Sequence, residues 1–532
     1  MPRAAYLAPG VYVEEVPSTQ QPIAGVGTNT VGFLGIVPDE VQYPVPNEDY
    51  DPVLARKAAG GAAEAKDLEE EKSRLEGEIR RLEGALREAQ EASAQLGQQL
   101  AAPELDETTR NRLNRQKAQR DRDVARTTGE ITATNARLAA LTAPPGAVDA
   151  KFLKPYKLET FRVTVEPGDT KLCTNFSEYT QRFGPFSADD DKNPGEALAP
   201  GHRALTHAVY GFFKNGGTRC FVARVRSDNA AEIDRALSAF ESIDAVALIA
   251  APGLTGKPIW NQLVAHCEIC EDRFAILDGG VDDAETNGEL DVTLLGYDAQ
   301  NNVLPERNKN AAFYFPWIEV IDPAKQLQDL DPARDVALKY RGRVYVPPSG
   351  HIAGIYASND EERGVHKAPA NRAVLGALNV KYYVGKAKQE LLNPQGVNCI
   401  RSLNGNITVW GARTIGGDSN HEWKYVNVRR LFLFLRESID EGTQWVVFEP
   451  NDPALWGRIR RNVGAFLTNV WRSGALFGLT PEEAFYVKCD AETNPPEVRD
   501  LGMVVTEIGI AIVRPAEFVI FRVAQATGPR SS

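Results

Sequence analysis

The stretch from Cys220 to Leu277, CFVARVRSDNAAEIDRALSAFESIDAVALIAAPGLTGKPIWNQLVAHCEICEDRFAIL, decides the fold. Cys220–Val225, Ala245–Ala250 and Phe274–Leu277 are short β-prone apolar runs. Between them, the apolar residues of Ala230–Ile243 and of Ile259–Asp272 recur at helical spacing. Strand, helix, strand, helix, strand in that order predicts a βαβαβ unit with parallel strands, and a further apolar run at Ala311–Val320 extends it. Asp278-Gly279-Gly280 stands at the end of the third strand, where open α/β sheets place ligands. No GxGxxG, GxxxxGK[ST], GxSxG or HExxH occurs in the chain, so phosphate, nucleophile and zinc chemistry each lack a required piece. Asp278 therefore reads as a capping or turn residue.

Outward from this unit, the whole chain has 532 residues, a length that suggests about three or four domains. Its net charge of −12 argues against a nucleic-acid or anionic-membrane partner, each of which needs a basic footprint. No apolar run reaches the roughly 20 residues of a membrane span, and no signal-peptide core follows Arg3, so folding in a cytoplasm is expected. The six cysteines are too scattered for a disulfide framework. Cys267 and Cys270 form a CxxC without a second pair, on a helix whose apolar face includes Cys267, so a buried thiol is expected there and no metal.

One segment breaks the composition. Between Tyr50 and Phe152 there is no aromatic residue, and Leu68, Leu75, Leu82, Ala89 and Leu96 recur every seven positions. After a break at Ala101-Ala102-Pro103, a looser heptad resumes through Leu113, Val124, Ile131, Leu138 and Leu141. Residues 62–101 carry a net charge of −4 and residues 104–142 one of +2, which favours antiparallel pairing. A helical hairpin over 62–142 is the expectation, weakened by Gly77, Gly84, Gly97 and Gly129.

General-base or metal chemistry would start from His202, His207, His266, His351, His366 and His421. His202 and His207 are five residues apart, a poor fit to one helical face. Asp418, Ser419 and His421 bring three triad residue types together on a Gly-rich loop, where neighbours seldom converge, and Ser349 has no base nearby in sequence. No catalytic residue and no cofactor is assigned.

The last third contains long strings in a recognisable order. They are VYVPPSGHIAGIYASNDEERGVHKAPAN from Val344, VWGARTIGG from Val409, and YVNVRRLFLFLRESIDEGTQWVVFEPND from Tyr425. LWGRIRRNVGAFLTNVWRSGALFGLTPEEAFYVKCD from Leu455 and VRPAEFVIFR from Val513 follow, and YLAPGVYVEEVPS opens the chain from Tyr6. These strings resemble contractile tail sheath proteins, densely over 340–525 and again in the first forty residues. Residues 50–150 do not match the common pattern, and 150–340 match mainly in the order of their elements.

The resemblance implies a multidomain α+β and α/β fold. It consists of a sheath C-terminal α/β domain with exchanged terminal β-arms, a βαβ-type middle domain, and the helical hairpin as a coiled-coil insertion. The expected partition is an N-terminal arm (1–20), an inner core (21–50 and 340–515), the hairpin (62–142), an outer α/β region (150–339), and a C-terminal arm and tail (516–532). The implied function is a structural subunit that polymerises around an inner tube in a phage tail or phage tail-like injection particle and contracts without nucleotide hydrolysis. Implied partners are further copies in a stack of hexameric rings, the inner tube protein, and baseplate and tail-terminator or cap proteins. Assembly in the bacterial cytoplasm, with release as part of a virion or particle, goes with it. A static filament or shell protein, and an α/β enzyme with a coiled-coil insertion, are the other readings of the same residues.

Three groups of residues give this function a physical basis. Val11, Tyr12, Val13 and Glu14 alternate as a strand between Pro9-Gly10 and Pro17, and Glu517–Val523 is a second strand whose arm residues are Phe518, Val519, Ile520, Phe521 and Val523. Lone terminal strands leave backbone groups unpaired unless they join a sheet, and in sheaths such arms add to neighbouring subunits. In the amphipathic helix Leu455–Leu476, Arg458, Arg461 and Arg472 gather on one side, a basic stripe on an acidic chain. The resemblance points that stripe at the inner tube.

Overall fold

The computed structural model describes residues 23–58, 65–102, 106–144, 148–282, 284–300 and 302–520. The stretch Cys220–Leu277 forms strands Cys220–Val225, Leu248–Ala250 and Phe274–Asp278, with helices Ala230–Glu241 and Lys257–Cys270 between them. The strands are parallel, yet the first two are not neighbours. Val31–Ile36 lies between them, with Val31 opposite Cys220 on one side and Leu248 on the other. The sheet continues in parallel through Ala311–Phe315 and Val397–Leu403. Antiparallel strands close both edges: Asn406–Trp410 and Arg372–Ala373 at one, Thr170–Cys173 at the other. The result is a nine-stranded mixed sheet.

Central strands such as Phe274–Asp278 are buried throughout, as expected of a parallel strand covered on both faces. Phe33, Leu248 and Phe274 face helices Pro200–Lys214 and Ser349–Arg363. Leu34, Ile249 and Ala275 face Ile233, Phe240, Trp260 and Leu263 on the two crossover helices. The helices Pro200–Lys214 and Ser349–Arg363 approach each other closely at two glycines. A Cβ on Gly350 would sit 2.3 Å from the Ala208 Cα, and one on Gly354 would sit 2.4 Å from the Phe212 carbonyl oxygen. That contact gives a packing reason for the string SGHIAGIY.

Two expectations shift. The run Ala311–Val320 is split at Pro316, which lacks a ladder donor: Ala311–Phe315 stays in the large sheet, while Ile318–Ile321 joins a separate three-stranded sheet with Arg343–Val346 and Asn379–Val380. Strands from both sides of position 340 share the nine-stranded sheet, with Phe313 in parallel register against Val397, so no edge of this core falls there.

The C-terminal residues build a second core. Helices Val426–Thr443 and Pro453–Arg472 and the two-stranded ribbon Phe485–Lys488/Glu507–Ile510 enclose Leu431, Leu435, Ile459, Val463 and Phe466, joined by Ile23 from the other end of the chain.

Helices Ala65–Leu100 and Glu107–Thr142 pack side by side and antiparallel, 36 residues or about 54 Å each at 1.5 Å per residue. Leu75, Ala89, Ser93, Leu113, Thr127 and Thr134 are buried along their contact, and Ser93 Oγ donates to Asp121 Oδ1 across it at 2.5 Å. The pair is inserted into the ribbon Glu40–Pro46/Tyr156–Arg162. At its base Leu54, Leu75, Ala140, Leu141, Val148 and Phe152 form a small core. There Lys57 Nζ donates to the Leu141 and Ala143 carbonyls at 2.7 and 2.6 Å, satisfying the end of the second helix.

Candidate assembly surfaces

Helix Pro453–Arg472 starts where Asp452 accepts a hydrogen bond from the Leu455 N–H at 2.8 Å, with Pro453 in the first turn. Leu455, Ile459, Val463, Phe466 and Val470 are buried against the C-terminal core. Arg461 and Arg472 are exposed on the opposite side and make no ion pair among the described residues. Arg458 is held differently. It pairs with Glu449 at 2.6 Å and lies over the Trp445 ring at 5.2 Å, so the free part of the expected stripe narrows to Arg461 and Arg472.

Of the expected arm residues, Val11, Tyr12, Val13, Glu14, Phe521 and Val523 lie outside the described residues. Phe518, Val519 and Ile520 are described and join no strand; their exposures are 70%, 69% and 80%. A strand was expected from Glu517; within the chain it finds no ladder partner among the described residues. Three consecutive exposed apolar residues cost hydrophobic free energy unless something covers them.

Immediately before them Glu517 is seated firmly. Its carboxylate accepts from Arg413 Nε and Nη2 and from Asn393 Nδ2, each at 2.8 Å, and from the Tyr425 hydroxyl at 3.0 Å. Burial alone would raise this carboxyl, but the hydrogen bonds from Arg413 and Asn393 outweigh it and hold the group below the usual carboxylate range. Arg413 is itself pinned: Asn398, on the strand Val397–Leu403, accepts from its N–H at 2.7 Å and donates to its carbonyl at 2.8 Å.

The N-terminal end of the described chain is fixed elsewhere. Ile23 is buried in the C-terminal core, the Val26 N–H donates to Ser438 Oγ, and Thr28 meets the buried pair Arg430–Asp360, whose N–O distance is 2.6 Å. Among the described residues the ribbon Phe485–Lys488/Glu507–Ile510 has two strands, and no further strand pairs with the outer edge of either.

Several of the residues weighed for chemistry are engaged in structural contacts. Asp278 is buried and accepts from the Ser349 N–H at 2.7 Å and Ser349 Oγ at 2.5 Å, capping the start of Ser349–Arg363. Burial pushes its carboxyl up to about 7, partly offset by these hydrogen bonds. Sequence distance hid this pairing. His202 bonds the Phe183 carbonyl, His207 meets Asp322 at 3.1 Å, and burial lowers His351 to about 3. Asp418 pairs with Arg413 and Lys424 and Ser419 with the Gly416 carbonyl, while His421 is exposed. Cys267 is buried. Among the described residues no cluster of His, Cys, Asp and Glu is placed to hold a metal ion, and no helix is long and apolar enough to cross a membrane.

The anchor residues Glu517, Arg413, Asn393 and Tyr425 escaped sequence reasoning. Their contacts span 92 to 124 positions, and only the lone acid before an apolar run hinted at them.

The phage tail sheath protein central domain matches residues 229–415 and the phage tail sheath C-terminal domain matches residues 418–526, together more than half of the chain. The tail sheath protein of Vibrio phage KVP40 is 29% identical over 188 residues, 34% of this chain and 26% of that protein. Among solved structures, the contracted sheath complex of PVC, an extracellular contractile injection system, is 29% identical at a TM-score of 0.54, covering 68% of this chain and 88% of that one. The contracted helical sheath of the anti-feeding prophage matches in fold, with 21% identity and a TM-score of 0.57, over 98% of this chain and 100% of that one. The mixed α/β fold is of sheath type. The chain belongs to the phage tail sheath protein family. It spans between a quarter and a half of the length of the curated relatives it matches, and the helical pair 65–142 lies outside both matched domains.

Proposed function

We propose that this protein is the sheath subunit of a contractile phage tail or phage tail-like injection system. In this reading it polymerises around an inner tube, in stacked hexameric rings that meet a baseplate at one end and a terminator or cap at the other. The subunits assemble in the bacterial cytoplasm. Contraction drives the tube through an envelope by exchanging one set of interfaces for a better-packed one. The work is mechanical, a small free-energy gain per subunit summed over a lattice of bistable contacts.

The observation that carries this reading is the C-terminal segment. In a chain of the sheath family, Phe518, Val519 and Ile520 emerge from a fixed root with apolar side chains exposed and backbone unpaired. A neighbouring copy supplies what they lack. Among the described residues the ribbon Phe485–Lys488/Glu507–Ile510 has two unpaired outer edges, the number needed to take one N-terminal and one C-terminal arm as added strands. Val11–Glu14 and Phe518–Val523 are then the inter-subunit arms. Arg461 and Arg472, with Arg458 braced by Glu449, face the tube. Exposed charge pairs contribute about 0–1 kcal/mol each and weaken with salt, which suits a grip that must release. The helical pair decorates the sheath as a coiled-coil insertion. Removing residues 1–20 is expected to leave a folded monomer, with an unchanged circular-dichroism melt, that forms no sheaths in electron micrographs; normal sheaths from that truncation would defeat the arm assignment.

A further inference from the structure

The two ends of the described chain are rooted in different cores. Ile23 and Val26 are held by the C-terminal helices, and Thr28 by both Arg430 of those helices and Asp360 of Ser349–Arg363, so a pull on the preceding segment reaches the C-terminal unit first. The other end crosses over. Residues 507–510 form the last strand of the C-terminal ribbon and Ile512 bridges Leu476 in the same unit. Five residues later Glu517 is bound to Arg413, whose backbone is fixed to the nine-stranded sheet through Asn398. Among the described residues, Glu517 is the one member of 514–520 that hydrogen-bonds the body of the chain.

The strength of this root follows from its chemistry. A bidentate guanidinium–carboxylate pair is directional and stronger than neutral hydrogen bonds. The Arg413 side chain is 3% exposed and that of Glu517 21%, so water competes poorly with the pair. Losing the carboxylate leaves a buried guanidinium with Asp418 as its remaining charge partner. Without this contact, nothing in 514–516 would pass tension to the sheet, and the pull would run instead to Val513 and Ile512, held to Ala475 and Leu476, and through them to the four-residue strand of the ribbon.

We propose that the Glu517–Arg413 contact is the joint that delivers a neighbouring copy's pull on the C-terminal arm to the nine-stranded sheet, while the N-terminal arm pulls on the C-terminal helices. This rests on the sheath reading and adds a division of labour to it. Every subunit then feels its neighbours at both of its cores, and a rotation of one core against the other is passed on to the next ring. Glu517 is a positioning residue here; the arm beyond it makes the contact.

The test separates the joint from the sheath reading by using two readouts. In the purified monomer, Glu517→Gln and Glu517→Ala are expected to speed chymotryptic cleavage after Phe518 by about tenfold or more, because local opening of the root sets access. Tyr425→Phe, which removes a single bond, should raise it less and guards against a folding defect in the stronger variants. An unchanged cleavage rate in all three would overturn the joint. In assembled particles, Glu517→Gln sheaths are expected to separate into rings when triggered, whereas unsubstituted sheaths contract intact. Intact contraction of the variant despite a freed arm would overturn the role in transmission. Failure of the unsubstituted chain to polymerise would instead defeat the sheath reading, and the transmission role with it, whatever the cleavage rates.

Discussion

The helices Pro200–Lys214 and Ser349–Arg363 and the helices Ala65–Leu100 and Glu107–Thr142 are both packed pairs with glycines in their interiors, but the glycines do opposite things. In the first pair, Gly350 and Gly354 let two helices touch backbone to backbone beside the sheet. In the second, Gly84 and Gly129 have nothing within 4 Å of an added Cβ. The first pair is held by the surrounding core and could not tolerate bulk. The second is held by its own seam, and its glycines only weaken the helices. The first falls partly within the matched sheath domains, the second in neither.

That contrast can be broken most sharply at Gly350. Gly350→Ala is expected to cost about 3 kcal/mol or more in chemical denaturation, because the obstacle is backbone rather than a movable side-chain tip; a cost under about 1 kcal/mol would mean the helix pair is looser than described. In the other pair the sign reverses. Gly84→Ala and Gly129→Ala should each stabilise the hairpin by about 0.5–1 kcal/mol, read as protection of its amides in hydrogen exchange.

The helix starts carry the same contrast into pH. Asp278 caps Ser349–Arg363 from a buried site and is pushed up to about 7, so its contribution is complete in acid and is lost as pH rises through 7. Asp106 caps Glu107–Thr142 from an exposed site, and its hydrogen bonds to Thr109 hold it below the usual range, so its contribution is present at neutral pH and is lost in acid. Asp278→Asn keeps the neutral form's hydrogen bonds. Its melting temperature should match the unsubstituted protein near pH 4, exceed it increasingly from there to about pH 7, and hold a constant lead above that; a pH-independent difference would contradict the assignment.

Local pattern made much of this fold legible. Cys220–Leu277 reads as alternating strands and helices because each element announces its own period, and the hairpin reads from its leucines. Pairing at a distance was not legible. Nothing in Val31–Ile36 says that it lies between Cys220–Val225 and Leu248–Ala250, whose residues are about two hundred positions away. The seam of the second hairpin helix buries Thr127 and Thr134 between its apolar residues, which explains why its heptad looked loose. On the Arg-faced helix, spacing placed Arg458 on the same side as Arg461 and Arg472 but could not show that Glu449 and Trp445 already hold it. Glu517 was visible only as one acid before an apolar run; its four hydrogen bonds come from residues remote in sequence.

The central claim is that this subunit builds a lattice with two states. Electron microscopy of particles purified with their inner tube, imaged before and after triggering at the baseplate, tests it most directly. Two helical lattices are predicted, long and narrow before and short and wide after, with the arms linking the same neighbours in both. A single lattice unchanged by triggering would contradict it and make the protein a static shell.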